Sequence, residues 1–293
     1  MKRWFLATRP WSFVVSASPV LAACVFLIWK DGTAGFDWIN AVLALVGIIL
    51  FHAAGNVLSD YYDYRNGIDS KDAFCVTNLI SGEFRSSDYL KFSIWLFAAA
   101  CIIGILLAYR SDILLLAIGL PGLVLTLLYS RAKFYALGDL LIFIVFGVLP
   151  MLGTSLVVKR AIDWDTLLLS IPIGLVTVAV LHANNTRDIP TDSKVGAVSF
   201  AGLIGGKASV YAYIAYIGIP ALYTVAMVAL KLFPVWCLLI LLSVPIVVKN
   251  SKQALKYSSE GLSAFKNLDL ASAQLQMISA ATLILGFIIG SIL

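Results

Sequence analysis

The sequence predicts an all-α, polytopic membrane protein: nine transmembrane helices in a bundle around a central cavity, forming one domain over residues 1–293. Three observations carry that prediction. The chain of 293 residues is 61% hydrophobic and only 13% charged, where about 25% charged is usual for soluble chains. Its apolar residues gather into runs near the roughly 20 residues that a helix needs to cross a bilayer. Between those runs, Lys and Arg fall mainly in alternate connections, as they do in membrane proteins of fixed orientation.

The first run, 11–29, lacks a small-residue cleavage site followed by a polar mature domain, so it reads as a span and not as a signal peptide. Further spans are expected at about 38–58, 90–108, 112–129, 137–157, 165–184 and 209–230. The eighth, 234–248, is short and bounded by Pro234, and the ninth is 274–292. The stretch near 249–273, opening "NSKQALKYSS", is patterned like an amphipathic surface helix.

With nine crossings, sixteen of the 21 Lys and Arg share the side of the N-terminus, and only Lys30, Arg110, Lys159, Arg160 and Lys231 lie opposite. The bias places the N-terminus and its companion loops in the cytoplasm, as in a bacterial inner membrane. The net charge of +5 is therefore a topology signal, and it is met by anionic lipid with no nucleic-acid partner. Cys24, Cys101 and Cys237 sit inside apolar runs, while Cys75 stands alone in a loop, so neither a disulfide framework nor a thiolate metal site is indicated.

Polar chemistry is concentrated at two span ends. The second span closes as "HAAGNVLSDYYDY" and the sixth as "HANNTRDIPTD". This faint repeat suggests two related four-helix halves, about 8–130 and 135–248, with a ninth helix added. Asn56, Asp60 and Asp63 stand at i, i+4 and i+7, and so share one helical stripe. Asn184, Asp188 and Asp192 stand at i, i+4 and i+8, with Pro190 expected to end the helix and leave Asp192 on a turn. Oxygen donors without His or Cys select hard cations, and Mg²⁺ takes one or two carboxylates together with phosphate oxygens. Lys71, Arg131, Lys133, Arg187 and Lys194 lie on the same side and could complete a phosphate site. His52 and His182 read as packed, hydrogen-bonded residues and not as ligands.

These residues resemble the UbiA superfamily of intramembrane prenyltransferases. "NVLSDYYD" is similar to its first motif, and "NNTRDIPTD" to the second motif of its menaquinone-type branch, whose members prenylate 1,4-dihydroxy-2-naphthoate. "TRPWSF" at 8–13 and "YSRAKFYALGDLLIFIVFG" at 129–147 are similar to the same branch. The resemblance covers about 8–205 and implies transfer of a prenyl group from an isoprenyl diphosphate to an aromatic acceptor within the bilayer. It implies that Asp60, Asp63, Asp188 and Asp192 hold Mg²⁺ against the diphosphate, supported by Asn56 and Asn184. It further implies diphosphate contacts for Tyr129, Lys133 and Arg187.

Aromatic faces such as Tyr61, Tyr62 or Tyr129 could stabilise an allylic cation. The chain departs from the branch at Ala73 and Phe74, where arginine and threonine are usual, which leaves Lys71 or Lys194 to supply the missing cation. Other acceptors (4-hydroxybenzoate, homogentisate or a lipid headgroup) stay open. A different class, the ion-coupled transporter, also uses intramembrane carboxylates, although here the acids lie at one face and not at the midplane. A phosphatidyltransferase of the CDP-alcohol type would need a compact D-G-x-x-A-R cluster, which the sequence lacks.

Overall fold

A computed structural model describes residues 2–67, 79–132, 135–194 and 196–293, with the side chains of 130–132 left aside. Its described residues form helices and connecting turns. We number the apolar helical segments α1 (Pro10–Asp31), α2 (Trp38–Arg65), α3 (Ser86–Arg110) and α4 (Leu115–Ala132). They continue as α5 (Gly138–Lys159), α6 (Trp164–Arg187), α7 (Phe200–Ala229), α8 (Val235–Phe265) and α9 (Leu268–Ile292). Eight are long and apolar enough to cross a membrane, and α4 adds an apolar stretch described over Leu115–Tyr129. Nine spans were expected, and α4 occupies the place of the fourth.

Polar caps set where these helices begin. The Asp37 carboxylate accepts from the Asn40 backbone N–H at 3.0 Å at the head of α2. Ser199 accepts from Gly202 N–H at 3.1 Å and starts α7 nine residues before the expected 209. That opening turn was hidden by Gly205, which breaks the helical pattern at φ +79°. The stretch expected to be one surface helix is divided instead. Its first part ends α8's helical run at Leu255, and Gly261 at φ +59° then turns the chain. Ala264 and Phe265 are buried, and α9 begins at Leu268, six residues early. Gln253 donates to Ala264 O at 3.2 Å and holds the folded-back turn in place.

The bundle closes where α9 packs between α1 and α8. Phe26, Phe233 and Phe287 meet edge to face there at 5.1–6.2 Å, an arrangement that suits the ring quadrupoles. Contact is so close that a Cβ on Gly286 would lie 2.7 Å from the Cys237 backbone. α5 and α6 cross at a second glycine contact, Gly147 against Gly174, where each helix widens into a π-turn. Ser170 Oγ donates to Gly147 O at 2.9 Å and satisfies a carbonyl loosened by that widening. The crossing turns Val145 and Phe146 towards α2, and so shapes one wall of the site described next. Cys24 and Cys237 are buried, as core packing of those apolar runs requires; Cys75 lies outside the described residues.

Candidate active site

Both acidic motifs lie at the end of the bundle where α1 and α9 begin and α2 and α6 finish. α2 continues to Arg65, seven residues past the expected 58, which puts Asp60 and Asp63 on regular helix. Apolar content does not sustain that last stretch; pairing does. Asp60 is buried, forms an ion pair with Arg9 and accepts from Tyr89 Oη at 3.2 Å. Ser59 donates to Asp63 at 3.3 Å along the same helix. Arg9 reaches Asp60 because its own backbone is left-handed (φ +55°), bending the N-terminal segment over the end of α2. The Asn56 amide fastens that bend, donating to Thr8 O at 3.0 Å and Ser12 Oγ at 3.1 Å.

The second motif is tied locally. Arg187 grips Asp188 through two hydrogen bonds of 2.8 Å, donates to Asp269 at 2.7 Å and also donates to the Asn184 side chain. A planar guanidinium suits this forked arrangement. α6 stops at Arg187, and Pro190 falls in the first turn of a new short helix, Ile189–Lys194. Asp192 therefore rides a helix and not the expected turn, with its N–H donating to Asp188 O at 2.9 Å.

Beneath the first motif is a cavity of about 120 Å³ whose polar edge is His52, Asn56, Ser59, Thr126 and Tyr129. It adjoins a larger apolar cavity of about 330 Å³ between α2, α3, α4 and α5, and Phe51 and Val145 line both. Of the three tyrosines considered for stabilising a cation, Tyr129 lines the cavity. Tyr61 instead packs with Trp4, Leu79 and Tyr89 and receives a hydrogen bond from Arg65 at 3.1 Å, while Tyr62 is exposed.

The four aspartates do not converge as the two-motif clamp anticipated. Among the described residues, no three His, Cys, Asp or Glu side chains come close enough to form a closed metal cage. The reason lies in the pairing: Asp60 and Asp188 are each drawn to a guanidinium, and α6 packs chiefly against α7 and α9 instead of against α2. The donor set still fits a hard cation. It is all oxygen, and a carboxylate has about four lone-pair sites, so a bound arginine leaves capacity on each. Such a set suits a cation that shares its coordination with a phosphate ligand and not one enclosed by protein alone. Lys194 is exposed at the end of its short helix. Lys71 and Lys133 lie outside the described residues, as do Ala73 and Phe74.

Arg9, Tyr89 and Asp269 are partners that sequence reasoning missed. Arg9 lies in "TRPWSF", which carried a resemblance but no stated role; nothing local marks Tyr89 or Asp269.

The profile of the UbiA prenyltransferase family matches residues 16–273. The human "UbiA prenyltransferase domain-containing protein 1" is 30% identical over 292 residues, which is 98% of this chain and 83% of that protein. Relatives of the same name are spanned over 66% of their length in Danio rerio and 84% in Mus musculus. Among solved structures, the apo UbiA homolog from Aeropyrum pernix K1 superposes with TM-score 0.72 at 18% identity, covering 92% of this chain and 97% of that one. The UbiA homolog from Archaeoglobus fulgidus bound to GPP and Mg²⁺ gives TM-score 0.63 at 14% identity, covering 96% and 99%.

Proposed function

This chain belongs to the UbiA prenyltransferase family, and we propose that it moves a prenyl group from an isoprenyl diphosphate to a hydroxylated aromatic acceptor, 1,4-dihydroxy-2-naphthoate, in menaquinone biosynthesis. The carrying observation is a pair of neighbouring cavities with Phe51 and Val145 lining both: a small one with a polar edge under the acidic helix end, and a larger apolar one beside it. A molecule with an anionic head and a hydrocarbon tail matches that sequence of surfaces. Naphthoate as acceptor is favoured by the local pattern of "TRPWSF" and "NNTRDIPTD". The solved relative from Archaeoglobus fulgidus binds GPP and Mg²⁺, and the oxygen donors of Asp60, Asp63, Asp188 and Asp192 fit the same cation here.

When bound, Mg²⁺ neutralises negative charge as the allylic C–O bond opens. The remaining work falls to the chain. Asp60 and Asp63 anchor the head from α2, and Asp188 and Asp192 do so from beyond α6. Arg9 and Arg187, held at those carboxylates, place positive charge where the leaving diphosphate develops its own. Tyr129 lines the cavity, and its ring supports the allylic cation. Apolar walls exclude the water that would quench this cation to an alcohol. Lys71, Lys133 and Lys194 supply further cations on the same side, which the bias of Lys and Arg favours as the cytoplasmic one.

The test is diphosphate release by purified protein in lipid, supplied with geranylgeranyl diphosphate and dihydroxynaphthoate, with Mg²⁺ or with chelator. Metal-dependent release with a prenylated naphthoate is expected. Release without that product would redirect the acceptor, and no release across a series of prenyl lengths would overturn the reading.

A further inference from the structure

His52 and His182 each precede the acidic motif of their helix, and the structure uses them differently. His182 is fully buried, and both ring nitrogens are committed: Nδ1 to Asp139 at 2.7 Å and Nε2 to Ser209 O at 3.3 Å. His52 lines the small cavity beside Asn56, Ser59 and Tyr129. Its Nδ1 meets Ser16 Oγ at 3.0 Å, and its Nε2 makes no hydrogen bond to any described residue.

The Ser16 contact accommodates the tautomer that a base at Nε2 needs. A serine hydroxyl has one proton, and that of Ser16 is directed to Phe13 O at 3.1 Å. With its proton given to Phe13 O, Ser16 Oγ accepts from His52 Nδ1–H, and in this tautomer Nε2 carries the ring's lone pair. The ring is clasped by Phe146 at 5.0 Å and Phe13 at 6.1 Å between centroids, so its orientation is set by packing as well as by the hydrogen bond. His52 sits one helical turn from Asn56 and two from Asp60, about 12 Å along the axis from the latter at 1.5 Å per residue. The small cavity lies along this stretch of α2, lined by His52, Asn56 and Ser59.

We infer that His52 is the general base that receives the hydroxyl proton of the aromatic acceptor, with Ser16 as its positioning residue. The inference rests on the prenyl-transfer reading given above. The acceptor O–H proton passes to Nε2, and the freed electron pair enters the ring. The ring carbon forms a C–C bond to the prenyl carbon, and the C–O bond of the donor breaks with its electron pair leaving on the diphosphate. The attacked carbon then loses its hydrogen as a proton, and His52 returns a proton to the ring oxygen. The ring is aromatic again, the base is neutral, and one proton leaves in total. The charged and titratable groups around His52 are Arg9 from the N-terminal segment and Tyr129 from α4; α5 presents Leu141, Ile142, Val145 and Phe146.

The test compares wild type, His52→Gln and Ser16→Ala in lipid, with Mg²⁺, geranylgeranyl diphosphate and dihydroxynaphthoate, across pH. Glutamine keeps most of the volume and a hydrogen-bonding group but cannot take up a proton. Wild type should lose turnover at low pH as the base protonates. His52→Gln should lower kcat on the order of 10²-fold or more, lose that acid limb, and leave the KM for the diphosphate donor unchanged. Ser16→Ala should give a smaller loss and keep the acid limb. An unchanged donor KM shows that the variants are folded. Wild-type turnover in His52→Gln, or reduced turnover with the acid limb intact, would overturn the assignment while prenyl transfer stands. A wild type that forms no prenylated product with any donor would overturn both.

Discussion

The two acidic helix ends share a sequence pattern but are held by different means. At the end of α6, Asp188 is gripped by its neighbour Arg187, which Asn184 and Asp269 fix in turn. At the end of α2, Asp60 receives its guanidinium from Arg9, 51 residues away, and a phenol from Tyr89 on α3. The two histidines differ in the same sense: His182 is sealed in a structural pair with Asp139, whereas His52 opens to a cavity. The first end is assembled from distant segments around a cavity, and the second is a local lock. Similar motifs therefore need not divide the work equally.

The largest expected effects fall on function. Asp60→Asn and Asp188→Asn should each lower turnover on the order of 10²–10³-fold or more, while the amides still accept from Arg9, Tyr89 or Arg187 and keep the fold. Turnover assays alongside thermal melts in lipid check this, and a large loss for one variant only would show that the two ends are unequal in chemistry as well. His182→Ala should act on stability instead. It leaves the buried Asp139, one of whose oxygens already lacks a partner, with only the 3.4 Å bond from Tyr216 at the other, at a cost of about 1–3 kcal/mol; a lower melting temperature without a change in the pH profile of the remaining turnover is the signature.

Gly174→Ala tests the crossing that shapes the cavity wall. Its Cβ would lie 2.9 Å from the Phe143 ring, and overpacking of this kind costs about 1–3 kcal/mol. The stability loss should come with weaker turnover, because Val145 and Phe146 move with α5. Arg9→Gln removes the cation that competes for Asp60, so the half-saturating Mg²⁺ concentration should fall several-fold in a metal titration of activity. Lys30→Ala, at the opposite end, should change least. Lys30 bridges Asp163 at 2.8 Å and Asp165 at 2.6 Å, but the cluster is partly exposed, and such pairs contribute about 0–1 kcal/mol. Its turnover should match wild type.

Much of this protein is legible in its sequence because spanning a bilayer is a constraint on composition. Apolar runs located the helices, since an unpaired backbone cannot remain in hydrocarbon. Their ends were less legible. α2 outruns its apolar stretch because Asp60 is neutralised by a partner, and α7 begins early under a serine cap with Gly205 masking the pattern. At 249–273 the alternation of charged and apolar residues suggested one surface helix, but Gly261 and the burial of Phe265 fold the chain back.

By itself the sequence determined the all-helical membrane fold, the family and the residues of the two acidic motifs, because each follows from residue type and spacing along one chain. Only the tertiary structure decided that Arg9 and Tyr89 serve Asp60, that Asp269 completes the lock on Arg187, and that His52 and not His182 faces a cavity. Those facts depend on contacts between segments tens of residues apart. Side-chain pairing across a bundle is set by which helices pack together, and one-dimensional spacing does not encode that.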